Sequence, residues 1–197
     1  MGLIIESSRN GNKADVDVKG RLKTLSISEG YNIEAAELGE SFNINTGTVN
    51  LTSANESSVA YFKNNEDKDF VIESILVIFG SSTGGSGDHS IEIIKNPTAG
   101  TIISNAVAGE TVSNRNFGSA RSLIADFYKG VEGDTGNSGE VFGNTTRSSA
   151  STSPVEFDAD VIVLPKNAGL SINFTPATGN TSVNVKVAIV GFLFESE

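Results

Sequence analysis

The chain has 197 residues, a formal net charge of −10, no Cys, no Trp, one His and 38% hydrophobic residues. That length and apolar content suit a single domain with its own core. The lack of cysteine excludes zinc fingers, iron–sulfur clusters, thiol catalysis and a disulfide-built scaffold, leaving an intracellular assembly or a robust extracellular particle as settings. The acidic surface repels a nucleic-acid backbone, so no nucleic acid is expected as a partner.

At the start, Met1-Gly2-Leu3-Ile4-Ile5-Glu6 is too short and too soon interrupted by charge for a signal peptide. No apolar run approaches the roughly 20 residues of a membrane helix, so no membrane partner is expected. Met1-Gly2 has only a superficial likeness to an acylation signal, with Arg9 and Lys13 as its nearby basic residues. Residues 1–20 are punctuated by Asn10-Gly11 and hold few anchors beyond Leu3, Ile4, Ile5, Val16 and Val18. They read as an extended arm reaching a neighbouring subunit or as a frayed end. Residues 21–197 read as one β-sandwich domain.

Helix formers occur at Glu34-Ala35-Ala36-Glu37-Leu38, but Gly30 and Gly39 leave room for two turns at most, so an irregular crossing segment is expected over 28–40. Phe42 and Ile44, the turn Asn45-Thr46-Gly47, then Val49 and Leu51 spell a hairpin. Val59, Tyr61 and Phe62 make the next strand. The β-branched and aromatic run 70–79 reads as a central strand ended by Gly80. Residues 89–95, with Ile91 and Ile93, read as its hairpin partner across 81–88.

Residues 119–130 fit a short helix with Leu123, Ile124, Phe127 and Tyr128 on one stripe, or a strand with Leu123, Ala125 and Phe127 inward; the strand is preferred. Residues 130–153, mostly Gly, Ser, Thr, Asn and acid, predict a long exposed loop. Val155, Phe157, Ala159, Val161 and Val163 alternate with Glu156, Asp158 and Asp160 as in a half-buried strand. Leu170, Ile172 and Phe174 form another strand after Pro165. The run from Val183 to Leu193 gives a long strand whose second half, with Val190, Phe192 and Phe194, is covered on both faces. Eight to ten strands with almost no helical period predict an all-β sandwich or barrel. The preferred version is a jelly-roll-like two-sheet sandwich with an extended N-terminal arm and long polar loops.

Chemistry-bearing patterns are sparse. His89, preceded by Asp88 at the end of a Gly-rich loop, lacks an evident nucleophile and reads as a solvated turn residue. Zinc of the usual kind would need several His or Cys ligands. The segment Gly80-Ser81-Ser82-Thr83-Gly84-Gly85-Ser86-Gly87-Asp88 follows a strand as a phosphate loop does, but has neither the Lys nor a following helix. Acidic clusters at Glu66-Asp67-Lys68-Asp69, Glu132-Gly133-Asp134 and Asp158 with Asp160 reproduce no EF-hand spacing and read as solvated faces. A carboxylate pair for glycoside hydrolysis needs only proximity in space, but zero Trp and three Tyr argue against a sugar-stacking cleft. The sequons at Asn50, Asn55, Asn144, Asn173 and Asn180 read as by-products of an Asn/Ser/Thr-rich composition. No enzyme activity, metal or cofactor is expected.

A likeness to a known group is carried by Gly20-Arg21-Leu22-Lys23-Thr24, Ser41-Phe42-Asn43-Ile44-Asn45-Thr46-Gly47, Leu51-Thr52-Ser53-Ala54-Asn55-Glu56, Tyr61-Phe62-Lys63-Asn64-Asn65-Glu66 and the loop from Ser81 to Asp88, followed by Lys95-Asn96-Pro97-Thr98-Ala99-Gly100-Thr101. It continues through Asn114-Arg115-Asn116-Phe117-Gly118, Tyr128-Lys129-Gly130 and Val163-Leu164-Pro165-Lys166. In these scaffold and turn motifs the chain resembles a group of virion structural proteins of tailed bacteriophages. The resemblance implies a jelly-roll-like domain on the virion, made in the bacterial host cytoplasm, that self-associates as a homotrimer and binds the major capsid protein as a decoration (cement) protein. The arm, with Leu3, Ile4, Ile5, Arg9 and Lys13, is the expected capsid or subunit contact. The competing reading is a tail or fibre component that binds a host surface glycan through 80–88 and 130–153.

Overall fold

The computed structural model describes residues 15–16, 22–23, 31–104, 107–109, 111–136 and 139–195. The chain divides into two units, 1–30 and 31–197. In the first, β1 (Asp15–Val16) pairs antiparallel with β2 (Leu22–Lys23).

The second unit opens with the seven-residue helix α1 (Tyr31–Glu37), so the expected irregular segment is helical over the two turns its glycines leave free. Then come β3 (Ser41–Asn45), β4 (Val49–Leu51), β5 (Ser57–Asn64), β6 (Asp69–Phe79) and β7 (Asp88–Lys95). A long insertion follows with α2 (Thr101–Ser104), β8 (Val107–Ala108), β9 (Thr111–Asn114) and β10 (Ala125–Lys129). The chain closes with β11 (Glu140–Ser148), β12 (Val155–Leu164), β13 (Gly169–Thr175) and β14 (Val183–Phe194).

The pairing is nested. β3 pairs with β14, β5 with β13, β6 with β12 and β7 with β11, all antiparallel. A long ribbon of these four pairs, rolled so that β14 meets β6 and β13 meets β7, yields two sheets. Their orders are β12-β6-β14-β3-β9 and β11-β7-β13-β5-β10-β8. This is a jelly roll, the two-sheet solution to burying the inner face of every strand. Phe42, Ile44, Phe62, Phe70, Ile72, Ile75, Ile93, Ile172 and Ile189 fill the space between the sheets at 1% exposure or less. β6 and β14 alternate buried and open residues as their period-two sequences predict, and Val190, Phe192 and Phe194 are half-buried on the second face, over part of which α1 packs. Phe127 faces inward from β10, as the strand reading of 119–130 requires.

Three expectations are corrected. β3 and β4 are not a hairpin: both pair with β14, one after the other, so Asn45-Thr46-Gly47 is a kink within one edge path. Gly47 takes φ 69° there, which only a residue without Cβ adopts cheaply. β7 is not the hairpin partner of β6 but lies in the opposite sheet, because 80–87 crosses from one sheet to the other. Residues 140–148 are a strand, not loop, although most of their side chains are exposed. Polar composition there reflects an edge strand with open faces, a pattern that propensity reads as coil.

The insertion between β7 and β11 adds β10 beside β5 and β9 beside β3, covering edges that would otherwise be bare. β11 and β12 remain uncovered among the described residues, and they face one another across the opening of the sandwich. A side chain at Gly143 of β11 would lie 3.7 Å from the Phe157 ring of β12.

Candidate functional site

Leu3, Ile4, Ile5, Arg9 and Lys13 lie outside the described residues. The acidic clusters separate into contacts that fix loops. Glu66 Oε1 accepts the Ile124 N–H at 2.9 Å, while Asp67 accepts from Lys166 Nζ at 2.5 Å, which holds the Asp67 carboxyl below its usual range. Glu132 accepts from the Thr52 N–H and hydroxyl at 3.1 and 2.6 Å. Asp134 accepts from the Val131 N–H at 2.8 Å and the Thr101 hydroxyl at 2.9 Å. The side chains of Asp158 and Asp160 lie outside the described residues, and Glu156 is exposed. Among the described residues no three His, Asp or Glu side chains converge on a metal position.

His89 is not a solvated turn residue. It is fully buried in β7, against the rings of Phe79 and Phe174. Its Nδ1 accepts the Ala177 N–H at 3.0 Å, so the neutral ring carries its proton on Nε2, which has no hydrogen-bond partner. Burial pushes its pKa down against the opposing pull of the Asp88 carboxylate. The preceding glycine-rich segment is likewise tied down: Thr83 bridges to Ser182 and Ser86 to Thr178.

Among the described residues the fold builds a cleft of about 430 Å³ where the two sheets part between β11 and β12. Two irregularities lie beside it. The β11 register shifts between Val141 and Gly143, leaving Phe142 as the extra residue, and the β12 register shifts between Asp158 and Ile162. A bulge bends its strand and re-aims a side chain; Phe142 stands at the cleft 58% exposed. Ile93, Leu170, Ile162 and Leu164 make an apolar floor. At the rim sit Lys95 and Asn96. Asn96 is occupied, its Oδ1 accepting the Gly169 N–H at 3.0 Å. Lys95 is exposed and has no ion-pair partner among the described residues. The chemistry on offer is an apolar socket with one cation beside it, suited to holding a group in place. Sequence reasoning missed this site because its residues come from four strands, and its two bulges leave no trace in the alternation of hydrophobic residues.

A second surface lies where the loop after β9 meets the end of α1. Asn116 Nδ2 donates to the Glu37 carbonyl at 2.9 Å and Asn114 Nδ2 to the Gly39 carbonyl at 2.7 Å, pinning the loop after β9 beside the end of α1. Phe117 on that loop is fully exposed, and Leu38 and Ile33 are 64% and 52% exposed.

The architecture is that of a jelly-roll sandwich. The chain matches no protein-family model and no curated protein.

Proposed function

We propose that the protein is a structural component of a tailed-bacteriophage virion, a capsid decoration (cement) protein that binds the major capsid protein on the outside of the head and self-associates, with a homotrimer as the expected form. The observation that carries this reading is the exposure of three large apolar side chains, Phe117 on the loop after β9, Leu38 at the end of α1 and Ile33 within it. Apolar side chains that gather into one exposed patch mark contact surfaces. Here the loop that bears Phe117 is held by two side-chain hydrogen bonds to the end of α1, so a partner meets a preorganised surface and little ordering entropy is lost. Repeated over a shell, even contacts of modest area add up to resistance against internal pressure. The jelly roll itself serves both capsid and lectin domains and favours neither.

The test is gold labelling of the parent particle with an antibody to this chain, viewed by electron microscopy. Label spread over the head supports decoration. Label confined to the tail tip replaces it with host recognition, and its absence from every particle overturns the virion assignment.

A further inference from the structure

We propose that β11 pairs edge to edge with β11 of a second copy of this chain, antiparallel about a two-fold axis at Asn144, so that Glu140 of each copy stands opposite Arg147 of the other. The contact goes beyond the reading above. A strand paired with its own copy joins two chains about a two-fold axis, which does not close a trimer but links one trimer to the next.

β11 ends its sheet, with β7 on one side and no strand on the other among the described residues. A bare edge offers a row of N–H and C=O groups to another chain, and proteins usually blunt it with lysine, proline or a short strand. β11 is nine residues long and has neither Lys nor Pro. Its only charges are Glu140 at one end and Arg147 near the other, and Val141 and Phe142 are more than half exposed. The other uncovered edge, β12, carries Glu156, Asp158 and Asp160 and no base, so two copies of it would repel.

The register follows from the ladder with β7. In an antiparallel pair, residues directly opposite point their backbone groups the same way, so the axis of a self-paired strand falls at a residue and never between two. Counted along β7, Glu140 lies at Lys95, Val141 at Ile94, Gly143 at Ile93, Asn144 at Glu92 and Arg147 at His89, with Phe142 as the extra residue. Glu140 and Arg147 therefore lie three steps to either side of Asn144 and on the same face of the sheet. Without the bulge they would be an odd number of steps apart, and no residue would lie midway. An axis at Asn144 sets Val141 opposite Thr146, Gly143 opposite Thr145 and Glu140 opposite Arg147. Opposite charges directly across a pair stabilise it, and like charges destabilise it. Lys95 already neighbours Glu140 on the β7 side, so in the pair the acid lies between two cations. Arg147, which has no ion-pair partner among the described residues, gains one.

The chain has no Cys, so a single thiol reports the contact. Asn144→Cys puts two thiols side by side at the axis. Ser148→Cys, also exposed and on the same strand, puts them about 27 Å apart, far beyond the reach of a disulfide. Full-length chains are compared under mild oxidation at equal concentration, with the thermal midpoint of each variant recorded to show that it folds. The expected result is a disulfide-linked dimer forming about 10-fold or more faster with Asn144→Cys. Added to Asn144→Cys, Glu140→Arg and Arg147→Glu each set like charges opposite one another and should slow the dimer. Mixing these two variants restores both unlike pairs, so the product should be almost wholly the mixed dimer, told apart by its mass. Equal rates for the two thiol positions, or a mixture without preference for the mixed dimer, overturn the proposal. Label on the head without the cross-link removes this contact and leaves decoration standing; the cross-link without label on any particle does the reverse.

Discussion

Thr46 and Val187 are joined by two hydrogen bonds of different kinds: the Thr46 N–H donates to the Val187 carbonyl at 3.0 Å, and the Val187 N–H donates to the Thr46 hydroxyl at 2.9 Å. Where the path of β3 and β4 kinks, the side chain supplies the acceptor that a straight strand would supply from its backbone. Both residues are buried, so an unmet Val187 N–H has no water to turn to.

The consequence is measurable. Thr46→Val keeps the shape and removes the acceptor, and should cost about 1–3 kcal/mol in urea unfolding. Thr46→Ser keeps the hydroxyl and should cost less. Equal losses for the two variants would mean that packing, not the hydrogen bond, secures the kink.

His89 makes stability depend on pH in a defined direction. Burial lowers its folded-state pKa below 6.5, so the folded protein holds the neutral ring while the unfolded chain takes up a proton first. This contribution is complete above about pH 6.5 and is lost as the pH falls below it, by at most about 1.4 kcal/mol per pH unit, until the folded ring also protonates. Protonation at Nδ1 then removes the acceptor of the Ala177 N–H. Asn can place an oxygen near the Nδ1 position without titrating. His89→Asn should therefore flatten the difference in unfolding free energy between pH 7 and pH 5.5; an unchanged difference would assign it to carboxylates instead.

How far the sequence determines the fold depends on what each residue must satisfy. Strands buried on a face, such as those containing Ile72, Ile75 and Val77 or Val185, Val187 and Ile189, are legible because the period-two pattern is the cause of their burial. Their partners are not, because pairing is decided by how the ribbon rolls. That is why 45–47 reads as a hairpin turn while β3 and β4 share β14, and why β7 reads as the neighbour of β6 while it joins the other sheet. The edge strand β11 escapes the pattern altogether, since Thr145, Thr146 and Ser148 have no core face to declare. His89 misleads for a related reason: next to Asp88 and a glycine-rich run it looks solvated, whereas the crossing of 80–87 carries it between Phe79 and Phe174.

Glu40 anchors the insertion to the sandwich end. Its carboxylate, 8% exposed as a residue, accepts from Lys68 Nζ at 2.7 Å and from Arg121, while Arg121 also lies 3.8 Å from Glu66. Two cations share one largely buried acid, so removing the acid leaves both with a poorer partner. Glu40→Gln should lower stability by about 1–3 kcal/mol in urea unfolding at neutral pH. Lys166→Ala, which breaks the exposed pair with Asp67, should leave the unfolding midpoint unchanged. A loss no greater for Glu40→Gln than for Lys166→Ala would remove the network from the account of how the insertion is held.

Phe117 separates folding from assembly. Its ring lies wholly in solvent while its backbone is held by Asn116, whose Oδ1 accepts the Gly118 N–H at 3.0 Å and whose Nδ2 donates to the Glu37 carbonyl. Phe117→Ser removes apolar surface without touching those bonds, so the thermal midpoint should hold, with a change in stability below about 0.5 kcal/mol. Binding responds differently if this surface is the capsid contact. An aromatic anchor at the centre of an interface is worth about 2 kcal/mol, roughly a 30-fold change in Kd. The variant should therefore occupy fewer sites on stripped heads than the parent protein at equal concentration. Asn116→Ala, which frees the loop while keeping the ring, should fall between the two, because ordering the loop is then added to the cost of binding. Full occupancy by Phe117→Ser, with folding intact, would take this surface out of the contact and leave the decoration reading without its main structural support.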